Sequence, residues 1–137
     1  MSNLIPPHGS KTLMPLLLPE TERAEEVKRA RTLKQVPLSS REVSDLFMLA
    51  MGAYTPLEGF MGEQDWRGCC VDMALSNGLF WPIPITLSCD QELADSLQLG
   101  EEVALLDGET SEILGILTVD EKYTIDKELE CSQVYWT

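Results

Sequence analysis

Histidine is almost missing from this sequence, with His8 the sole example in 137 residues. A nucleophilic triad needs an imidazole held between an acid and a Ser or Cys, so a self-contained hydrolase would hang on one residue in a leading segment expected to be mobile. Cysteine is also scarce, at positions 69, 70, 89 and 131 without CxxC spacing, which is poor zinc chemistry. The adjacent Cys69 and Cys70 admit a redox reading, but their apolar helical setting favours buried, inert thiols. Long apolar runs are lacking. The longest near the N-terminus is Leu16 to Leu18, against about 20 residues needed to cross a bilayer, so no membrane partner is expected and a cytoplasmic setting is. Positive charge is in deficit as well: 10 Lys and Arg face 23 Asp and Glu, for a net charge of −13. Such a chain repels phosphate backbones, and no nucleic-acid partner is expected.

Neither GxxxxGK[ST] nor GxGxxG occurs, so no phosphate cradle of those kinds can be argued. The neighbouring acids Glu101-Glu102 and Asp120-Glu121 resemble a general acid/base pair only in composition, since 23 acids in one chain make such adjacency ordinary. The stretch Asp120 to Asp126 lacks the turn glycine and the terminal bidentate Glu of a calcium loop. No catalytic, cofactor-binding or metal-ligating residue is therefore assigned, and no cofactor is expected within this chain.

What is present describes one folded domain spanning 1–137, with 44% apolar and 24% charged residues. Pro6, Pro7, Gly9 and Pro15 predict an extended leader over residues 1–18. From Pro19 to Leu33 acids come early and bases late, the order that complements a helix dipole on an exposed helix. Val36-Pro37-Leu38 reads as an extended link. Ser39 and Glu42 then sit at capping-box spacing before Val43, Leu46, Phe47, Leu49 and Ala50, which starts a second helix. An apolar loop Thr55 to Gly62 precedes a third helix over about 63–73, expected to turn Trp66, Cys70, Val71 and Met73 inward. After a turn at Asn77-Gly78, residues 83–88 are expected to be extended. A short helix follows from Asp90, and Val103 to Asp107 pairs with Glu112 to Val119 as a hairpin. A last helix is expected over 126–136, packing Leu129, Val134 and Trp136. Helices followed by a small sheet place the fold in the α+β class.

Two segments carry more than composition: SREVSDLFMLAMGAYTPLEGFMG over 40–62, with Arg41 and Asp45 four apart on one helix face, and DMALSNGLFWPIPITL over 72–87. Read from residue types alone, they are a helix with a surface ion pair and a Pro-bearing edge strand. Together they resemble the N-terminal domain of the ATP sulfurylase (sulfate adenylyltransferase) family, whose stretches read approximately RExSDLEMIAxGAFSPLxGFM and MxLxNGxxWPIPxxL. Leu4-Ile5-Pro6-Pro7-His8-Gly9-Ser10-Lys11 resembles the family's LxPHGGxL opening, and the likeness runs on to Asp126-Lys127, Val134 and Thr137. Ser10, Phe47 and Tyr54-Thr55 depart from the family pattern, which commonly has Gly, Glu and Phe-Ser there. Phe47 exchanges a charge for a ring and puts the solvation of that helix face in question.

The resemblance implies a PUA-like pseudobarrel, a small and mostly antiparallel sheet with flanking helices. It implies a full-length nucleotidyltransferase of sulfur metabolism that joins MgATP and sulfate into adenosine 5′-phosphosulfate and pyrophosphate. The family's QxRNPxH signature and its Gly-rich nucleotide-binding stretch belong to a following catalytic domain. Neither occurs between Met1 and Thr137, so no catalytic residue is carried over and the chain alone is expected to be inactive. Its implied partners are that catalytic domain and, at full length, further copies in a homo-oligomer. The loop Tyr54 to Met61 and the stretch Leu79 to Ile85 are the candidate docking surfaces, since each would otherwise expose aromatics. The alternative is a free-standing PUA-like module that binds RNA or protein.

Overall fold

The computed structural model describes residues 4–136. The element order is α1 (Glu20–Ala30), β1 (Lys34–Leu38), α2 (Ser40–Ala50), α3 (Glu63–Asp72), α4 (Gln91–Ser96), β2 (Glu102–Asp107), β3 (Ile113–Thr118) and α5 (Lys127–Glu130). A π-helical turn, Cys131–Tyr135, continues α5. Helices and a small sheet form an α+β domain.

The sheet order is β1-β2-β3. β2 is the central strand, and Val103 to Leu106 are all buried along it. It pairs antiparallel with β3 as the hairpin pattern requires, with a bulge between Leu105 and Leu106. The sheet is mixed rather than mostly antiparallel, because 34–38 is a strand and not a link: it pairs parallel with β2, Val36 opposite Leu105. Parallel neighbours need a long crossover, and the chain from Ser39 to Glu101, with α2, α3 and α4, supplies it. Pro37 is tolerated because β1 has a neighbour on one side only.

Two clusters make the core. One lies on the sheet, where Val36, Leu38, Val103 and Leu105 meet Leu97 and Val119. The other gathers Leu49, Leu57, Met61, Cys69, Leu75 and Ile85 between α2, α3 and the loops, and Phe60 packs against both. α3 turns Trp66, Cys69 and Cys70 inward. Val71 and Met73, expected inside, are more than half exposed. Val71 is still within α3 but exposed beside buried Cys69 and Cys70, and the helix ends before Met73 can face the core: Met73 adopts a left-handed conformation and Ala74 N–H donates back to Gly68 O at 3.2 Å. Ala74 O comes so close to Gly68 that a Cβ there would collide with it.

Residues 83–88 are extended but pair with no strand; their anchor is Met61 N–H donating to Ile85 O at 2.8 Å. Asp90 caps α4 through Leu93 N–H at 2.8 Å. The last helix departs from expectation. It changes to a π turn at Cys131, and Trp136 leaves it left-handed and 87% exposed instead of packed. Thr137 lies outside the described residues.

The leading segment is irregular but strapped down rather than loose. Leu16 and Leu17 N–H both donate to Ala50 O, and Met14 N–H donates to Thr55 Oγ1 at 2.9 Å. Gly9 sits at φ +66° against Leu79, where a Cβ would run into that side chain. Met1 to Asn3 lie outside the described residues.

Leu105 is 2% exposed at the centre of the sheet cluster. Leu105→Ala is expected to lower unfolding free energy by about 2–5 kcal/mol in urea denaturation, from lost burial plus the cavity left behind. An effect below about 1 kcal/mol would mean that this cluster is not the core.

Candidate functional site

Glu42 is 2% exposed and makes four hydrogen bonds. It occupies the third position of α2, where its Oε2 accepts from Ser39 N–H at 2.8 Å and Ser39 Oγ–H at 2.9 Å. Ser39 Oγ in turn accepts from Glu42 N–H at 3.3 Å, which completes the capping box. Oε1 accepts from Ser88 N–H at 2.8 Å and Ser88 Oγ–H at 2.6 Å, from a segment 46 residues away. Burial is the strongest single influence on this carboxyl and pushes its pKa up. The bonds from Ser88 and Ser39 together outweigh it, so the group is held below the ordinary carboxylate value and stays charged. The capping half of this clasp is legible in the sequence; Ser88 carries no local signal for it.

A second assembly lies next to the leader. His8 Nε2 is 2.7 Å from Phe80 O, and its ring stands 6.1 Å from Trp81. Tyr54 meets Trp81 edge-on at 5.9 Å and donates through its hydroxyl to Asp45 Oδ1 at 3.2 Å. Asp45 lies 3.8 Å from Arg41, the helix-face pair expected from the sequence. These rings line a groove of about 420 Å³ with Pro82, Ile83 and Ile85. Phe80 is 59% and Ile83 53% exposed at its rim.

The two candidate docking segments therefore fare differently. Leu57 and Met61 of the 54–61 loop are buried in the domain's own core, whereas 79–85 keeps Phe80, Pro82 and Ile83 in solvent. Phe47, whose helix face was in question, is 53% exposed, and Met51, just past the end of the same helix, is exposed as well.

The remaining candidates make contacts within the fold. Cys69 and Cys70 are buried. Burial first, then the Asp65 charge, pushes the Cys69 thiol up to about 12, and burial with Glu130 pushes Cys70 up to about 11. Glu101 pairs with Lys34 at 3.0 Å and Glu102 with Arg29, fastening β2 to the strand and helix before it. Glu121 Oε2 accepts from Glu63 N–H at the start of α3, and Asp126 caps α5 through Leu129 N–H. Lys122 donates to the carbonyls of Ala94 and Leu97 behind α4. Trp66 and Tyr123, which carry no motif signal, anchor the C-terminal part. Trp66 Nε1–H donates to Glu130 at 3.1 Å, and Tyr123 hydroxyl donates to Met61 O at 2.7 Å. Among the described residues no group of three or more His, Cys, Asp or Glu is placed to hold a metal ion, and no helix is long and apolar enough to cross a membrane.

The family model for PUA-like domains matches residues 5–137. The chain belongs to the PUA-like domain family. Relatives of this PUA-like domain share long stretches with it. A sulfate adenylyltransferase of Syntrophobacter fumaroxidans is 59% identical over 138 residues, covering 100% of this chain and 34% of the relative. One from Chlorobaculum tepidum is 53% identical over 135 residues, covering 98% and 33%. The chain thus spans about a third of the length of the curated relatives it matches. Among solved structures, a hexameric APS kinase from Thiobacillus denitrificans superposes with a TM-score of 0.75 at 39% identity, over 90% of this chain and 24% of that one.

Two outcomes are expected from the clasp and the thiols. Glu42→Gln leaves an amide NH₂ facing a backbone N–H whichever way it turns, and is expected to cost about 1–3 kcal/mol at pH 7. Because the folded-state pKa is depressed, the charged carboxylate's contribution is fully present above the unfolded value of about 4.5 and is lost as pH falls through the folded value. The gap between wild type and Glu42→Gln in denaturation curves should therefore narrow below pH 4.5; a gap constant with pH would contradict a charged clasp. In thiol labelling of the native domain, exposed Cys89 should react while Cys69 and Cys70 wait for unfolding. Labelling of Cys69 or Cys70 without unfolding would contradict inert burial.

Proposed function

We propose that this chain is the N-terminal PUA-like domain of a sulfate adenylyltransferase and contributes structure rather than chemistry to it. The observation that carries this reading is the match along the whole chain, at 59% identity, to a third of a relative bearing that name. The full-length enzyme would bind MgATP and sulfate as substrates. A sulfate oxygen would attack the α-phosphorus in line, releasing pyrophosphate and forming adenosine 5′-phosphosulfate. Such a step depends on positioning and on positive charge aimed at the reacting phosphate.

Four of the ten basic residues, Arg29, Lys34, Arg41 and Lys122, already face carboxylates or carbonyls of the domain itself. With a net charge of −13, the chain repels a polyphosphate. Its part is to scaffold the catalytic domain, and the hexameric neighbour supports an oligomer at full length.

A chimera tests this. The corresponding third of the Syntrophobacter fumaroxidans enzyme is replaced by this chain, and pyrophosphate release from MgATP and sulfate is followed for the chimera and for the 137-residue chain. The chimera should keep activity within about tenfold of the parent, and the chain alone should show none. Release by the chain alone would reveal a catalytic site within it, and a folded but inactive chimera would overturn the scaffold role.

A further inference from the structure

The Asn77-Gly78 turn takes no part in the function proposed above. It reverses the chain between Ala74 and Phe80, which face each other as an antiparallel bridge. Leu75 N–H donates to Leu79 O and Gly78 N–H to Leu75 O, both at 2.8 Å, and Asn77 Oδ1 accepts from Leu79 N–H at 3.0 Å. Both residues of the turn are exposed, and Gly78 sits at φ +86° with open space where a Cβ would stand. Asn77 is one of two asparagines in the chain, and the other, Asn3, precedes a leucine.

An asparagine before glycine carries its own reaction. The peptide nitrogen that follows attacks the side-chain amide carbon once it has lost its proton, since delocalisation otherwise withholds its lone pair. Here Gly78 N would form a bond to Asn77 Cγ, the Cγ–Nδ2 bond would break, and the leaving nitrogen would take up a proton and depart as ammonia. Water then opens the cyclic imide at one carbonyl or the other, giving aspartate, or isoaspartate with the chain routed through the former side chain. Glycine puts no side chain in the way. The fold opposes the first step: the Gly78 proton is given to Leu75 O, and the Asn77 side-chain carbonyl is held by Leu79 N–H. These bonds all lie within 75–79, so opening this turn alone frees both reacting groups.

We propose that Asn77 is a site of spontaneous deamidation that the 75–79 turn holds in check, and that conversion to isoaspartate unfastens the segment that follows. This stands independently of the function proposed above. Isoaspartate adds a carbon to the backbone between Leu75 and Leu79, so their hydrogen bonds no longer meet in register. The contacts just beyond depend on that register: Phe80 O holds His8 at 2.7 Å, and Trp81 N–H donates to Met73 O at 2.7 Å. The new carboxylate also arises one residue from Ser76, whose N–H is already held by the carboxylate of Asp65.

The test incubates the 137-residue chain in mildly alkaline buffer, folded and in urea, and follows position 77 by peptide mass mapping. In urea the amide should convert, whereas Asn77→Gln, whose longer side chain closes the ring poorly, should not. The folded chain should convert at least about tenfold more slowly, by the same factor by which hydrogen exchange at the Gly78 amide is slowed. No conversion in urea would overturn the site, and equal rates in the two states would overturn the guard. The isoaspartate chain, separated from its parent, should exchange the Trp81 amide at least about tenfold faster. Asn77→Asp, which adds the charge without lengthening the backbone, should keep that amide protected. Unchanged Trp81 exchange in the isoaspartate chain would overturn the unfastening.

Discussion

The carboxylate of Glu42 is the constraint on which the rest of the arrangement depends. It is a charge with almost no exposure to water, kept ionised by two serines, each giving a backbone N–H and a hydroxyl. Such a group is tolerable only when its lone pairs are satisfied, so the two serines must stand where they do. Ser39 follows β1 directly and begins α2. Ser88 closes the extended 83–88 stretch and precedes the Asp90 cap of α4. One side chain therefore sets the distance between the edge of the sheet and the segment that carries Trp81 and Ile83 toward the groove.

Around that clasp the domain turns its chemistry on itself. Its thiols at 69 and 70 are buried, and Arg29, Lys34 and Lys122 hold elements together. Among the described residues every buried side-chain N or O has a hydrogen-bond partner. A fold closed in this way leaves mainly apolar surface open, and that balance supports the structural role proposed above.

Local features are legible in the sequence. The capping box at Ser39 and Glu42, the Asp90 cap, the charge order of α1 and the hairpin of β2 and β3 all depend on neighbours within a few residues. The failures share a cause, which is contact across long sequence separation. Val36-Pro37-Leu38 looks like a link because its partner strand lies more than 60 residues on. Glu42 announces a cap but not the Ser88 bonds. Helical periodicity puts Met73 inside, where the return of the chain at Gly68 and Ala74 ends the helix first, while Val71 stays helical but exposed beside buried Cys69 and Cys70. The same periodicity packs Trp136, and the π turn instead swings it out. The groove is half legible: the aromatics of the 79–85 stretch mark it as a surface, whereas the burial of Leu57 and Met61 needs the tertiary fold.

The most direct measurement is an NMR titration of the Glu42 side-chain carboxyl carbon in the folded domain, with the amides of Ser39 and Ser88 followed in the same samples. A midpoint clearly below 4.5, with both amides shifting in step, is the result expected of a charged clasp joining α2 to the 83–88 stretch. A midpoint at or above that value, or a Ser88 amide indifferent to the titration, would contradict it.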